Sequence, residues 1–172
     1  EGGIEIGITG GEPFMAPEII DIMEAVLQRG HTLLVLTNAM QPMMRPRVQD
    51  GLKRLQAEFG PQITMRVSLD HYTAGKHDEE RGAGSFELSQ KGIQWLGEQG
   101  FNIAIAGRTM WHEAEADARV GYDGMLKALG VELDVNDPTA LVLFPEMEEQ
   151  ADPPEITVSC WGILNKDPAD IM

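Results

Sequence analysis

The chain has 172 residues, 42% of them hydrophobic, which is enough for one domain with a real core and too apolar for a disordered segment. Lys and Arg number 13 against 28 Asp and Glu, a net charge of −15 that repels phosphate backbones and argues against nucleic acid as a partner. No apolar run approaches the ~18 residues of a membrane span, no signal peptide is visible, and the one cysteine, Cys160, gives neither a disulfide framework nor a CxxC metal pair, a usage that fits the reducing cytoplasm.

Glu1-Gly2-Gly3 leads almost at once into a β-rich run over residues 4–9. With no initiator Met and so short a lead-in, the chain reads as a fragment of something longer. The first strand ends in Gly10-Gly11-Glu12-Pro13. One glycine is enough for a strand-to-helix turn. Two glycines and a carboxylate point to a ligand docked against the backbone, with Glu12 accepting from an ammonium. A plain turn, with Glu12 favouring the following helix dipole, accounts for the same letters.

A helix-period segment over 17–28 stops at Gly30, and a strand over 32–37 ends in Thr37-Asn38. The next helix, 46–58, stops at Gly60-Pro61, and the strand over 63–69 ends in Ser68-Leu69-Asp70. Residues 77–86, HDEERGAGSF, read as a loop with two positive-φ glycines and a Ser85 cap. They are not a phosphate loop, because no Lys-Ser/Thr follows the glycines and Glu87 stands where a third glycine belongs. His77, Asp78 and Ser85 are too close in sequence to argue as a catalytic triad. A helix over 85–99 closes at Gly100, and a strand over 102–107 runs into Arg108. A helix over 116–129 is weakened by Gly121 and Gly124, and a last clear strand, 140–144, ends in Pro145-Glu146. Past it lie an acidic loop, 146–154, a candidate strand, 156–160, and Asp167-Pro168 in the manner of a helix start. The four histidines make no HxH or HExxH pattern, so no zinc site is expected.

Strand, helix, strand at a repeat of ~30 residues or more is the spacing of βαβ crossovers and predicts a parallel sheet with helices outside it. The strands carry two unlike faces. Ile4, Ile6 and Ile8 oppose Glu5, Gly7 and Thr9. Met65, Val67 and Leu69 oppose Thr64, Arg66, Ser68 and Asp70. Ile103 and Ile105 oppose Asn102, Ala104, Ala106 and Arg108. If helices cover the isoleucine faces, the small and polar faces line a partly hollow barrel suited to a large polar ligand, where an ordinary barrel would be filled with branched side chains. A sheet with that face open to solvent reads the same way. Polar groups end five strands, at the rim where such sheets bind ligands.

The order GITGGEPF (7–14), VLTNAM (35–40), VSLDHYTAGKHDEERGAGSF (67–86) and IAIAGRT (103–109) resembles the radical S-adenosylmethionine (radical SAM) enzymes, over roughly residues 4–110 and most closely their peptide- and cofactor-maturing branches. The resemblance implies an α/β fold, a partial (β/α) TIM-like barrel of parallel strands over 1–145 with its N-terminal strand missing, and a C-terminal extension over 146–172 that is the start of a truncated segment. It implies SAM bound beside a [4Fe–4S] cluster, reductive cleavage to a 5′-deoxyadenosyl radical and hydrogen abstraction from a substrate, a peptide being one candidate. Gly10, Gly11 and Glu12 would hold the SAM ammonium. Ser68 and Asp70 would meet the ribose or the methionyl carboxylate, Asn38 would line the rim, and Arg108 would pair with the carboxylate. Met110 stands where the family has an acid, and His71 where it often has Gly.

The family's CxxxCxxC is absent, and the resemblance places it ahead of residue 1. A fragment is then expected to carry no cluster, to be inactive by itself, and to pair its bare first strand with another chain as a homodimer or with residues 156–160. The competing reading is a cluster-free, non-catalytic α/β domain used for binding or assembly.

Overall fold

A computed structural model describes residues 3–109 and 113–145. In chain order the elements are β1 (Glu5–Ile8), α1 (Ile19–Leu27), β2 (Thr32–Thr37), α2 (Pro46–Phe59), β3 (Ile63–Ser68), α3 (Ala74–Arg81), α4 (Ser85–Glu98), β4 (Asn102–Thr109), α5 (Glu115–Ala128) and β5 (Leu141–Pro145). The five strands are all parallel, and their order in the sheet is their order in the chain. Each pair of consecutive strands is joined through helix, and the sheet curls into half of a barrel, as the βαβ spacing predicts.

The amphipathic pattern decides which side is covered. Leu33, Val35, Ile63, Met65, Val67, Ile105 and Leu141 are at most 1% exposed and form one face of the sheet. Against them pack Ile19, Met23 and Leu27 of α1 and Val48, Leu52 and Leu55 of α2, each a single stripe at helical spacing. The opposite, concave face holds Leu34, Leu36, Thr64, Arg66, Ser68, Ala106 and Val142, all half-buried. β1 pairs with β2 on one side only and forms an edge of the sheet among the described residues.

Two local expectations are corrected. The stretch read as a loop from residue 77 is mostly helix: α3 spans Ala74–Arg81, and only the glycines beyond it turn the chain, Gly82 at φ 98° and Gly84 at φ 81°. Ser85 is the first residue of α4 and does not cap it; the carboxylate of Asp78 does that work. Gly121 and Gly124 do not break α5. A side chain at 121 would overlap the Tyr72 ring, so the close approach of Tyr72 accounts for that glycine. Glu146, Cys160, the candidate strand 156–160 and Asp167-Pro168 lie outside the described residues, as does Met110.

Candidate functional site

The parallel register carries Ile8, Val35, Met65 and Ile103 side by side across four strands. A few residues further on, every position named from the sequence reaches the same C-terminal rim: Gly10 to Glu12 after β1, Asn38 after β2, Ser68 and Asp70 at the end of β3, Arg108 in β4. They do not all have the same chemical situation there.

The turn after β1 is open. Gly10 sits at φ 136°, which a side chain would strain, and a Cβ at either Gly10 or Gly11 would meet nothing within 4 Å. Glu12 is half-buried and held by three donors. Its Oε1 accepts from the Phe14 N–H at 3.2 Å, capping the 3-10 turn Pro13–Met15, and from the Thr37 hydroxyl at 2.9 Å. Its Oε2 accepts from the Asn38 N–H at 2.9 Å. The Thr37 hydroxyl also lies 3.1 Å from Oε2, but it has a single proton, so three donors serve the carboxylate's acceptor positions, about four in all.

Asn38 itself is committed to the turn. Its Oδ1 accepts from the Met40 N–H at 2.9 Å and its carbonyl accepts from the Ser89 hydroxyl at 2.9 Å. The turn passes through Ala39, a buried non-glycine residue at φ 56°, and a Cβ on Gly92 of α4 would overlap the Ala39 carbonyl. Ser68 has no hydroxyl partner among the described residues and stands on the concave face, free to donate.

The loop after β3 is closed. The Asp70 carboxylate, 5% exposed, receives Arg81 through Nε at 2.5 Å and Nη2 at 3.1 Å, and Arg108 Nε lies 3.3 Å away. Arg108 also faces Glu80 at 3.6 Å. Asp70 is engaged chiefly by Arg81, and Arg108, with an exposed side chain, stands between Asp70 and Glu80. The Asp70 N–H donates to His77 Nδ1 at 3.1 Å, and burial pushes the His77 pKa below the ordinary imidazole value, so the ring is neutral with its proton on Nε2.

Two sets of contacts escaped the sequence reading, although it named Asp78 and His71. Asp78 accepts from the Gly84 N–H (2.8 Å), the Phe86 N–H (2.8 Å) and the Ser85 hydroxyl (3.1 Å), and these bonds, the Phe86 amide first, lower its pKa. The spacing of acid and glycine was visible, but only a helix over 74–81 makes their meeting legible. The second set joins the β3 and β4 loops. Glu113 accepts from Tyr72 Oη at 2.5 Å and from His71 Nε2 at 3.0 Å, with Lys76 at 3.9 Å. Burial raises the Glu113 pKa, but the Tyr72 and His71 bonds outweigh it and the net shift is downward; the same Tyr72 bond pushes the phenol up to about 12. His71 Nδ1 accepts from the Thr73 N–H, and burial lowers the ring's pKa, so a neutral imidazole donates from Nε2 to the ionised Glu113 carboxylate. Tyr122, completely buried in α5, donates to the Leu69 carbonyl at 2.8 Å. Among the described residues no cluster of His, Cys, Asp and Glu could hold a metal ion, and no helix is long and apolar enough to cross a membrane.

No protein-family model matches the chain. Over 100 residues it is 33% identical to the antilisterial bacteriocin subtilosin biosynthesis protein AlbA of Bacillus subtilis (strain 168), a stretch that is 58% of this chain and 21% of AlbA. The chain thus matches about one fifth of that relative's length. Streptococcus suis SuiB superposes with a TM-score of 0.64 at 15% identity, covering 94% of this chain and 34% of SuiB. Native anSMEcpe with bound AdoMet and Kp18Cys peptide superposes with a TM-score of 0.57 at 11% identity, covering 92% and 42%. At these identities the solved structures establish the fold. Together with the AlbA match they bear out the resemblance to radical SAM enzymes that GGEP, TN, SLD and HDEERGAGSF carry.

Proposed function

We propose that the whole protein is a radical SAM enzyme and that these residues form the part of its barrel that binds SAM. The observation that carries this reading is Glu12: a carboxylate fixed by Phe14, Thr37 and Asn38, with acceptor capacity left over, beside two glycines whose missing side chains leave open space. The ammonium of SAM fits there, held by Glu12 and the backbone of Gly10 and Gly11. Ser68, on the same rim with a free hydroxyl, takes the ribose or the methionyl carboxylate. Asn38 contributes through the turn that aims its N–H at Glu12. Asp70, beside Arg81 and Arg108, shapes the rim next to Ser68, and the exposed Arg108 side chain is the cation at hand for the SAM carboxylate.

SAM at a [4Fe–4S] cluster supplies hydrogen-atom abstraction on one-electron reduction. One cysteine cannot provide three thiolates, so the residues of this chain do not fit the cluster, and its ligands are assigned to the rest of the whole protein. The substrate class is a peptide, on the resemblance to the peptide-maturing branch, and the compartment is the cytoplasm. The edge of β1 that has no partner among the described residues is where another strand pairs, that of a second copy in a homodimer.

The test is calorimetric titration of SAM into the whole protein and its Glu12→Gln variant. Losing the charge-assisted contact should weaken binding about tenfold, with iron content unchanged. Affinity within twofold of the unaltered protein would remove Glu12 from the site and leave a cluster-free binding domain as the better account.

A further inference from the structure

The concave face of the half-barrel carries small, apolar and hydroxyl side chains, Glu5 near the start of β1, and two cations, Arg66 in β3 and Arg108 in β4. Arg108 is matched by Asp70 and Glu80. Arg66 is not: among the described residues no carboxylate forms an ion pair with it. Its one hydrogen bond runs from Nη2 to the Thr139 carbonyl at 3.1 Å, and its Nε is buried with no acceptor.

The position of that bond tells how the side chain lies. Arg66 pairs across the sheet with Leu36 on one side and Ala104 on the other. Thr139 precedes β5, the strand beyond β4. The side chain therefore crosses β4 to reach it. Ala104, although on the concave face, is 2% exposed, the burial expected beneath an overlying arginine stem. The guanidinium has five N–H groups and uses one. With Nε buried, the terminal Nη1 and Nη2 edge is the part left for a ligand.

We propose that Arg66 is an anion-binding residue inside the half-barrel and takes a carboxylate of the substrate. This rests on the reading of the rim as the SAM site, and it adds where the substrate is anchored. Ser68 is two residues further along the same face, roughly 7 Å nearer the rim at the rise of a strand, so the anchor lies beneath the SAM-binding level. A planar carboxylate matches the guanidinium fork. A monoanion suits the site better than a phosphate dianion, because a chain of net charge −15 repels the second charge.

The experiment uses the whole protein and two probes of equal shape, the blocked residues acetyl-glutamate amide and acetyl-glutamine amide, followed by NMR at the Arg66 Nε–H and the methyl groups of Leu34, Leu36 and Val142. The acid should shift these signals saturably, and the neutral amide should bind at least ~10-fold more weakly. Arg66→Gln should lose the same ~10-fold for the acid, and Arg66→Lys about threefold, as a point charge without the fork. SAM titrated into the same samples should bind unchanged, which separates this anchor from the rim: loss of the Glu12 effect with the acid–amide difference intact would sink the SAM reading alone. Equal responses to acid and amide, or folded Arg66→Gln with undiminished acid binding, would make Arg66 a brace for Thr139 and overturn the proposal. Should neither variant melt cooperatively, the acid–amide comparison on the unaltered protein decides.

Discussion

Two acidic residues stand on the same rim, two strands apart, in opposite situations. Glu12 is held by three neutral donors, next to a turn where side chains at Gly10 or Gly11 would meet nothing within 4 Å. Asp70 is 5% exposed and spends its carboxylate on Arg81 and Arg108. The first arrangement fixes an acid without neutralising it, which is what a cation-binding ligand site requires. The second neutralises an acid so that it can be buried, which fixes a loop. On the function proposed above, position on a rim does not distinguish a binding residue from a scaffold residue; the company each carboxylate keeps does.

The sharpest test of that distinction is Asp70→Ala. Both arginines would lose a nearly buried partner, and since each is itself partly exposed the cost should be at the low end for such pairs, about 3 kcal/mol. A urea melt reads it. If stability holds while SAM affinity collapses, Asp70 belongs with Glu12 and the contrast is lost. Gly92→Ala comes next, at about 2 kcal/mol, because the new Cβ would press the Ala39 carbonyl out of place. That turn also delivers the Asn38 N–H to Glu12, so SAM binding should weaken alongside the melt. A variant as stable as the parent would show that α4 does not brace the open side.

Glu12→Gln should cost about 1 kcal/mol or less in the melt, since an amide oxygen still accepts, while SAM binding responds strongly. A large loss of stability would mean that Glu12 is scaffold after all. The smallest effect is the pH dependence. His71 and His77 both lie on the closed side, and burial lowers both pKa values below the ordinary 6.5. The unfolded chain then takes up protons that the folded chain refuses, so stability is full above about pH 6.5 and falls as pH drops below it. Urea midpoints at pH 7.5 and 5.5 should show the fall, and His77→Asn, which keeps an acceptor for the Asp70 N–H, should lessen it. An unchanged midpoint would mean that these rings are not closed off from solvent.

Much of this was legible in the letters. Isoleucine and valine at alternate positions announced which strand face meets the helices, because a covered face cannot carry Arg66 or Thr64. Gly10-Gly11-Glu12 announced the open turn. What was not legible was partnership. Asp70 and Glu12 look equally available in sequence, and only the fold brings Arg81, eleven residues on, against one of them and Thr37, twenty-five on, against the other. The α3 helix was missed because its residues are polar and charged, with mean hydropathy too low to show a stripe; His77 is its one buried side chain.

That short helix has a consequence for recognising proteins of this kind. Of the five residues 77–81, His77 receives the Asp70 amide, Asp78 closes the corner into α4, Glu80 faces Arg108 and Arg81 clamps Asp70. The most conspicuous string in the sequence thus encodes a fastening between two strand ends, and none of these four residues bonds to the open turn at Glu12. A search keyed to that string would retrieve half-barrels whose rims are fastened alike, whatever reaction each performs, and sorting them by chemistry would have to begin elsewhere, with the residues that face the hollow.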